Sequence, residues 1–279
     1  MKNGTLSSGT LFICATPIGN LEDITLRVLR VLGEVDLIAA EDTRHTAKLL
    51  NHYEIKTAVL TSYHENNKDT KGRLLMQKLL DGANIALVSD SGMPAISDPG
   101  RELVQMCHEN GVAVTVCPGA SAGLTALVLS GFKAQPHVFE GFLPRDDAAR
   151  RGILQSLIGE KRTMVFYEAP HRLAETLRYM RQILGDRQIA VVRELTKKYE
   201  EILRGCISQI EQAFESSPPK GEFVIIVEGA TGMQKDFPQD VQEHIRLYTS
   251  QGFNEKQAMK MVAIDRGVGK GTIYNQIKR

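Results

Sequence analysis

Short apolar runs recur along the first part of the chain, each followed by a stretch with apolar residues at helical spacing. TLFICAT (10–16), DLIAAED (36–42), TAVLTSY (57–63), NIALVSD (84–90) and VAVTVC (112–117) are apolar on consecutive positions, the pattern of strands covered on both faces. Between them, DITLRVLRVLGEV (23–35) brings Ile24, Leu26, Leu29, Leu32 and Val35 into helical phase. RHTAKLLNHYEI (44–55), KGRLLMQKLLDG (71–82) and RELVQMCHEN (101–110) predict further helices, with Gly82 and Gly111 where helix-ending glycines sit. Strict strand–helix alternation predicts a parallel sheet under helices, with ligands taken outside the carboxyl ends of its strands.

The pattern changes after Cys117. CPGASAGLTALVLSGF (117–132) reads as a turn and an apolar helix. HVFEGFLP (137–144), RTMVFYE (162–168), QIAVVRE (188–194) and GEFVIIVEG (221–229) read as strands, with helices over 170–184 and 207–216. ATGMQKDFPQD (230–240) reads as a polar linker, and 241–279 holds helical patterns only. The expected organisation is an α/β domain over 11–119, a second α/β domain over 120–230 and a small helical module over 240–279.

The chain of 279 residues carries a formal charge of +1, so any nucleic-acid contact must be a local patch. One exists: 252–279 holds six basic residues against two acidic ones. Ala258, Met261, Val262 and Ile264 form an apolar face there, and GVGKGTIYNQI restarts a helix after a glycine turn, as in a helix-turn-helix unit. Lys260 and Lys270 are its candidate phosphate contacts; a plain helical cap or dimer element is the alternative. Cys14, Cys107, Cys117 and Cys206 have no CxxC spacing and read as reduced thiols. No apolar stretch reaches the ~18–20 residues of a membrane span. The start, MKNGTLSSGT, lacks an apolar signal core, so a cytosolic protein without membrane contact is expected. No His/Cys cluster has metal-ligand spacing, and no metal is expected.

LVSDSGMPAISDPG (87–100) stands out among the loops. Its Gly, Pro and Ser expose backbone edges, and Asp90 and Asp98 suit a ligand with positive charge while repelling one rich in phosphate. A simple helix-capping turn is the other reading. TPIGN (16–20) holds one glycine where a dinucleotide fingerprint needs three, and GVGKGT (267–272) lacks the spacing and the preceding strand of a phosphate loop.

TPIGNLEDIT (16–25), AAEDTRHT (39–46), VSDSGMPAISDPG (88–100), PGASA (118–122), FEGFLPR (139–145), FYEAPHR (166–172), RELTKKYEE (193–201) and KGEFVIIVEG (220–229) together resemble the tetrapyrrole methylase superfamily, and within it a branch that modifies ribosomal RNA. The resemblance runs from Leu11 to Gly229. It implies two α/β domains with an S-adenosylmethionine cleft between them, a homodimer, and 2′-O-methylation of a cytidine ribose in the decoding region of 16S rRNA in the small ribosomal subunit. It also implies cofactor contacts at Asp90, Ser91, Gly92, Met93, Ile96, Ser97, Ser121, Ala122, Phe142, Leu143, Gly221 and Val224, and an acceptor-facing loop at Pro17, Gly19 and Asn20. Met93 departs from the threonine usual in the family.

Ribose methylation needs an in-line hydroxyl, a route for its proton and a grip on the RNA backbone. Glu41 or His45 is placed to act as base and Arg44 to hold a phosphate, although Asp42 or Thr43 capping a helix and Arg44 pairing with Glu41 would explain the same residues. His64, Arg172 and Lys197 complete the candidate substrate contacts; each also reads as an ordinary surface charge. The rival functions are a tetrapyrrole-type small-molecule methylase and a non-catalytic RNA-binding or assembly protein.

Overall fold

The computed structural model describes residues 8–56, 59–215, 220–230, 238, 240–250, 253–266 and 268–277. Strands β1 (Thr10–Cys14), β2 (Leu37–Ala40), β3 (Leu60–Ser62), β4 (Ile85–Val88) and β5 (Ala113–Cys117) form a sheet in the order β3-β2-β4-β1-β5, with parallel pairing throughout. Helices α1 (Leu26–Glu34), α2 (Thr43–His52), α3 (Lys68–Leu80) and α4 (Arg101–Glu109) connect them. The unbroken apolar runs have a direct cause. On β2, Leu37 and Ala39 pack with Leu75, Leu79 and Leu103 of α3 and α4, while Ile38 and Ala40 pack with Val28, Leu32 and Leu50 of α1 and α2. Parallel order brings the carboxyl ends of β1, β2 and β4 side by side, so the loops after them share one edge.

Helix α5 (Ala122–Ser130) leads to the second sheet, β6 (His137–Phe142), β7 (Thr163–Glu168), β8 (Gln188–Arg193), β9 (Glu201–Cys206) and β10 (Phe223–Val227), in the order β6-β7-β10-β8-β9. Here β10 runs antiparallel to both neighbours. One face packs on α6 (Asp147–Ser156), α7 (Leu173–Leu184) and α8 (Ile207–Glu215) through Leu154, Leu177, Met180 and Ile210. The other receives Ala126 and Leu127 of α5 together with Ile18 from the loop after β1. That contact joins the two sheets.

Two elements lie outside the periodicity reading. Helix α6 begins where the Asp146 side chain accepts from the Ala149 N–H at 2.9 Å, in a segment with few apolar residues whose buried Arg150 pairs with Glu175 at 2.8 Å. β9 is a partly exposed edge strand held by antiparallel pairing with β8, and its sequence continues a charged run.

By contact density the chain divides into two compact units, Met1–Gly229 and Ala230–Arg279, and both sheets belong to the first. The second holds α9 (Val241–Ser250), α10 (Glu255–Asp265) and α11 (Lys270–Ile277) around Ile245, Tyr248, Ala258, Val262 and Ile273. Within it Asp265 accepts from the Tyr248 hydroxyl at 2.5 Å and pairs with His244 at 3.2 Å. Lys260 is exposed on α10; the side chains of Ile264 and Lys270, and residues 278 and 279, lie outside the described residues, as does most of 230–240. Among the described residues no helix is long and apolar enough to cross a membrane.

Candidate active site

The loop after β4 folds back onto the end of β1. Thr16 N–H donates to Gly92 O at 2.9 Å and Gly92 N–H to Thr16 O at 3.1 Å, while the Thr16 hydroxyl donates to Ser89 O at 3.1 Å. Gly92 has φ +80°, and a Cβ there would come within 3.1 Å of Ile18 Cγ2. The backbone conformation favours glycine here, and a side chain would also press on Ile18.

This fold-back bounds a first cavity of about 320 Å³, inside the ~300–1,000 Å³ range of small-molecule sites. Of the residues expected at a cofactor, Ser91, Gly92, Met93, Ile96, Ser97, Ser121, Ala122, Phe142 and Val224 line it. Tyr167, Glu168, Ala169, Pro170, Glu222, Phe223, Ile18 and Asp98 also line it. Its ionisable side chains are thus three carboxylates and a phenol, with no lysine, arginine or histidine. Glu168 is buried and fixed: Thr176 Oγ1 donates to its Oε2 at 2.6 Å and Ala169 N–H to its Oε1 at 2.8 Å. Burial pushes the Asp98 carboxyl above its usual range, against a bond from Ser89 that lowers it, and the nearby Asp90 charge adds to the rise. The Tyr167 hydroxyl accepts from Gly123 N–H at 3.0 Å, and its ring meets Phe142 edge-on at 5.5 Å. A cavity with apolar and aromatic walls, carboxylates and no cation fits a sulfonium and ammonium ligand with an adenine, and disfavours phosphate. S-adenosylmethionine matches that chemistry.

Three expected cofactor residues lie elsewhere. Leu143 is buried in the second sheet's core, and its carbonyl accepts from Arg172 Nη2 at 2.8 Å. Gly221, at φ +93°, lies against Glu194, whose Oε1 would be 2.5 Å from a Cβ. Asp90 lines a second cavity of about 430 Å³ with Thr16, Pro17, Ile18, Gly19, Leu21, His45, Ser91, Lys197 and Glu222.

The two cavities share Ile18, Ser91 and Glu222. The second is charged where the first is mostly apolar. Lys197 Nζ bonds Glu194 Oε1 at 3.0 Å and Glu222 Oε2 at 2.9 Å. Burial alone would lower its pKa, yet these two carboxylates carry it above the ordinary lysine value, so the ammonium stays charged. Its stem presses on Gly19, where a Cβ would lie 2.5 Å from Lys197 Cγ, and Asn20 N–H donates to Thr196 Oγ1 at 3.1 Å. Glu194 and Thr196 hold φ of +51° and +64°, which places this turn in a sparsely populated backbone region beside the cavity.

The remaining expected residues stand at the rim or behind it. Asp42 Oδ1 caps α2 through Arg44 N–H at 2.8 Å, and the well-exposed Arg44 guanidinium pairs with Asp42 at 2.7 Å, not with Glu41. Glu41 lines neither cavity; burial raises its carboxyl above the usual range, and the Asp98 and Asp90 charges add to that. His64 is held by Asn67. Arg172 braces the ends of β6 and β7, donating to Leu143 O at 2.8 Å and Pro144 O at 3.1 Å and pairing with Glu168 at 3.5 Å. The first-cavity lining positions that sequence reasoning left out of the expected cofactor contacts are Ile18, Asp98 and Tyr167 to Pro170, while Glu222 and Phe223 fall in the stretch from Gly221 to Val224 expected at the cofactor. The one local signal was a carboxylate, Glu168, ending an otherwise apolar strand. Among the described residues no group of three metal-ligating side chains occurs.

The family model described as Tetrapyrrole (Corrin/Porphyrin) Methylases matches residues 10–211. The chain is 51% identical over 274 residues to Ribosomal RNA small subunit methyltransferase I of Halalkalibacterium halodurans, covering 96% of this chain and 94% of that protein. It is 48% identical to the protein of the same name from Bacillus subtilis, covering 98% and 95%. Among solved structures, cobalt precorrin-4 methyltransferase superposes with a TM-score of 0.60 at 16% identity, over 78% of this chain and 94% of that one. Uroporphyrin-III C-methyltransferase from Thermus thermophilus, in complex with S-adenosylhomocysteine, gives 0.55 at 17% identity, over 78% and 96%. At these identities the structural likeness speaks for the fold.

Proposed function

The chain belongs to the tetrapyrrole methylase family, and we propose that it is an S-adenosylmethionine-dependent methyltransferase of small-subunit ribosomal RNA that methylates the 2′ oxygen of a cytidine in the decoding region. The observation that carries the reading is the pair of adjoining cavities, one carboxylate-lined and largely apolar, the other holding a fixed ammonium, a histidine and a free carboxylate oxygen, divided by Ile18, Ser91 and Glu222. The first suits the methyl donor and the second a polar acceptor. The full-length relatives named for ribosomal RNA favour an RNA acceptor over a tetrapyrrole.

S-adenosylmethionine, when bound, supplies an electrophilic methyl group on a sulfonium. Asp98, which makes no salt bridge among the described residues while Glu168 and Glu222 pair with Arg172 and Lys197, supplies the negative charge that favours that cation, and the Tyr167 and Phe142 rings exclude water around it. Ser91 and Ile18 line both cavities, where the methyl donor and the ribose hydroxyl must meet in line. His45 lines the acceptor cavity and takes the hydroxyl proton, while Glu41 lines neither cavity and accepts from Asp90 N–H. Arg44 and His64 meet phosphate and ribose oxygens, and Lys197 lines the acceptor cavity. Lys260 and Lys270 of the C-terminal unit add a salt-dependent grip on the RNA. A homodimer fits the outer side of α5, where Leu124 and Val128 are 54% and 76% exposed one turn apart.

The test is methyl transfer from labelled S-adenosylmethionine to 16S rRNA and to small subunits, followed by alkaline hydrolysis. One hydrolysis-resistant linkage after a cytidine is expected, since a methylated 2′ oxygen cannot attack its phosphate. Label on a base, or label only in a porphyrinogen, would overturn the reading.

A further inference from the structure

We propose that Asp90 selects the acceptor base: its free carboxylate oxygen accepts a hydrogen bond from an exocyclic amine, so the second cavity takes cytosine and rejects uracil. This rests on the rRNA methylation reading and adds a specificity-determining residue to it.

The two oxygens of Asp90 are not equivalent. Oδ1 accepts from Asp42 N–H at 3.0 Å, which anchors the carboxylate; Oδ2 has no hydrogen bond among the described residues. Asp90 lines the second cavity and not the first, which puts the residue on the acceptor side. The same cavity offers a donor of fixed position. The Lys197 ammonium has three N–H groups, of which Glu194 and Glu222 take two at 3.0 and 2.9 Å. An acceptor oxygen and a donor N–H therefore belong to two residues that line one space. Cytosine presents the complement, an N4 amine beside the N3 and O2 acceptors. Uracil presents O4, a lone pair set against a carboxylate, leaving both groups unpaired. A base read on this edge must be unpaired and turned out of its helix, which suits a cavity that admits one nucleotide.

Asp90→Asn converts the reader. Asp42 N–H keeps the amide oxygen at the Oδ1 position, so the NH2 group takes the place of Oδ2 and becomes a donor suited to O4. The experiment compares methyl transfer into two otherwise identical RNAs carrying C or U at the modified position, for the wild type and Asp90→Asn, with calorimetry of S-adenosylmethionine. The ratio of kcat/KM for C over U is expected to fall about 10- to 100-fold in the variant, the worth of one well-made base contact, with the affinity for S-adenosylmethionine unchanged. An unchanged ratio, equal loss on both RNAs, or loss of S-adenosylmethionine binding overturns the assignment while leaving the wild-type activity as evidence for the function. A wild type that methylates neither RNA overturns the function itself, and this inference with it. A second measurement needs no variant: an RNA whose target pyrimidine lacks the 4-amino group should be methylated by the wild type about 10-fold or more slowly than C. Equal rates would sink the role of the amine.

Discussion

Replacing Gly221 with alanine should uncouple Lys197 from Glu194. Gly221 has φ +93°, which an L-residue enters at about 1–2 kcal/mol. A Cβ would lie 2.5 Å from Glu194 Oε1 and 2.6 Å from its Cγ, so the side chain must leave. Leaving breaks its bonds from Lys197 Nζ and from Glu222 N–H, both at 3.0 Å. A charge-assisted bond at a half-covered site is worth about 1–2 kcal/mol, so the two bonds and the backbone share together cost about 3–6 kcal/mol. The assay is urea unfolding of the wild type, Gly221→Ala, Glu194→Ala and the double variant. In the Glu194→Ala background the obstruction is gone, and Gly221→Ala should cost only its backbone share, giving a coupling of about 2–4 kcal/mol, the worth of the two bonds. Strictly additive losses would refute the proposed contact. Methyl transfer should fall in Gly221→Ala with S-adenosylmethionine affinity kept, because Lys197 faces the second cavity.

Other expectations follow from individual contacts. Thr176→Val removes the hydroxyl that donates to buried Glu168 at 2.6 Å and should destabilise the fold by about 1.5–3 kcal/mol in denaturant titration, weakening S-adenosylmethionine binding as well. Asp98 and Glu41 hold raised carboxyl pKa values, so the folded chain keeps protons that the unfolded chain has lost. Stability should therefore fall as pH rises from their ordinary values of 3.8 and 4.5 through the raised ones, and Asp98→Asn should flatten part of that slope in pH-dependent unfolding. S-adenosylmethionine affinity should run the opposite way, weakening on acidification as Asp98 loses its charge, and a pH-independent affinity would contradict its place in the first cavity. Lys260→Glu should weaken RNA binding about equally across sequences and lower the salt slope by about 1 in filter binding, with cofactor affinity unmoved.

The strand–helix alternation, the parallel first sheet and the place of the loop after β4 were readable because each is a local statement. An apolar run such as Leu37–Ala40 can be covered on both faces in few ways, and turn-formers such as those of 89–100 can stand only between elements. Helix α6 and strand β9 were not readable. The first owes its place to a capping aspartate and a buried Arg150–Glu175 pair, the second to an edge pairing with β8, and neither leaves an apolar period. The same limit applied inside the site. That Asp90 and Asp98 stand on one loop was plain, but that they serve different cavities depends on Asp42 N–H anchoring one of them and on Gly92 bending the chain back to Thr16. Tyr167, Glu168 and Glu222 reach the first cavity because β10 inserts antiparallel between β7 and β8. Spacing along the chain carries information about faces and ends. Which side chains meet across a gap depends on contacts between residues far apart in sequence, and those exist only once the chain has packed.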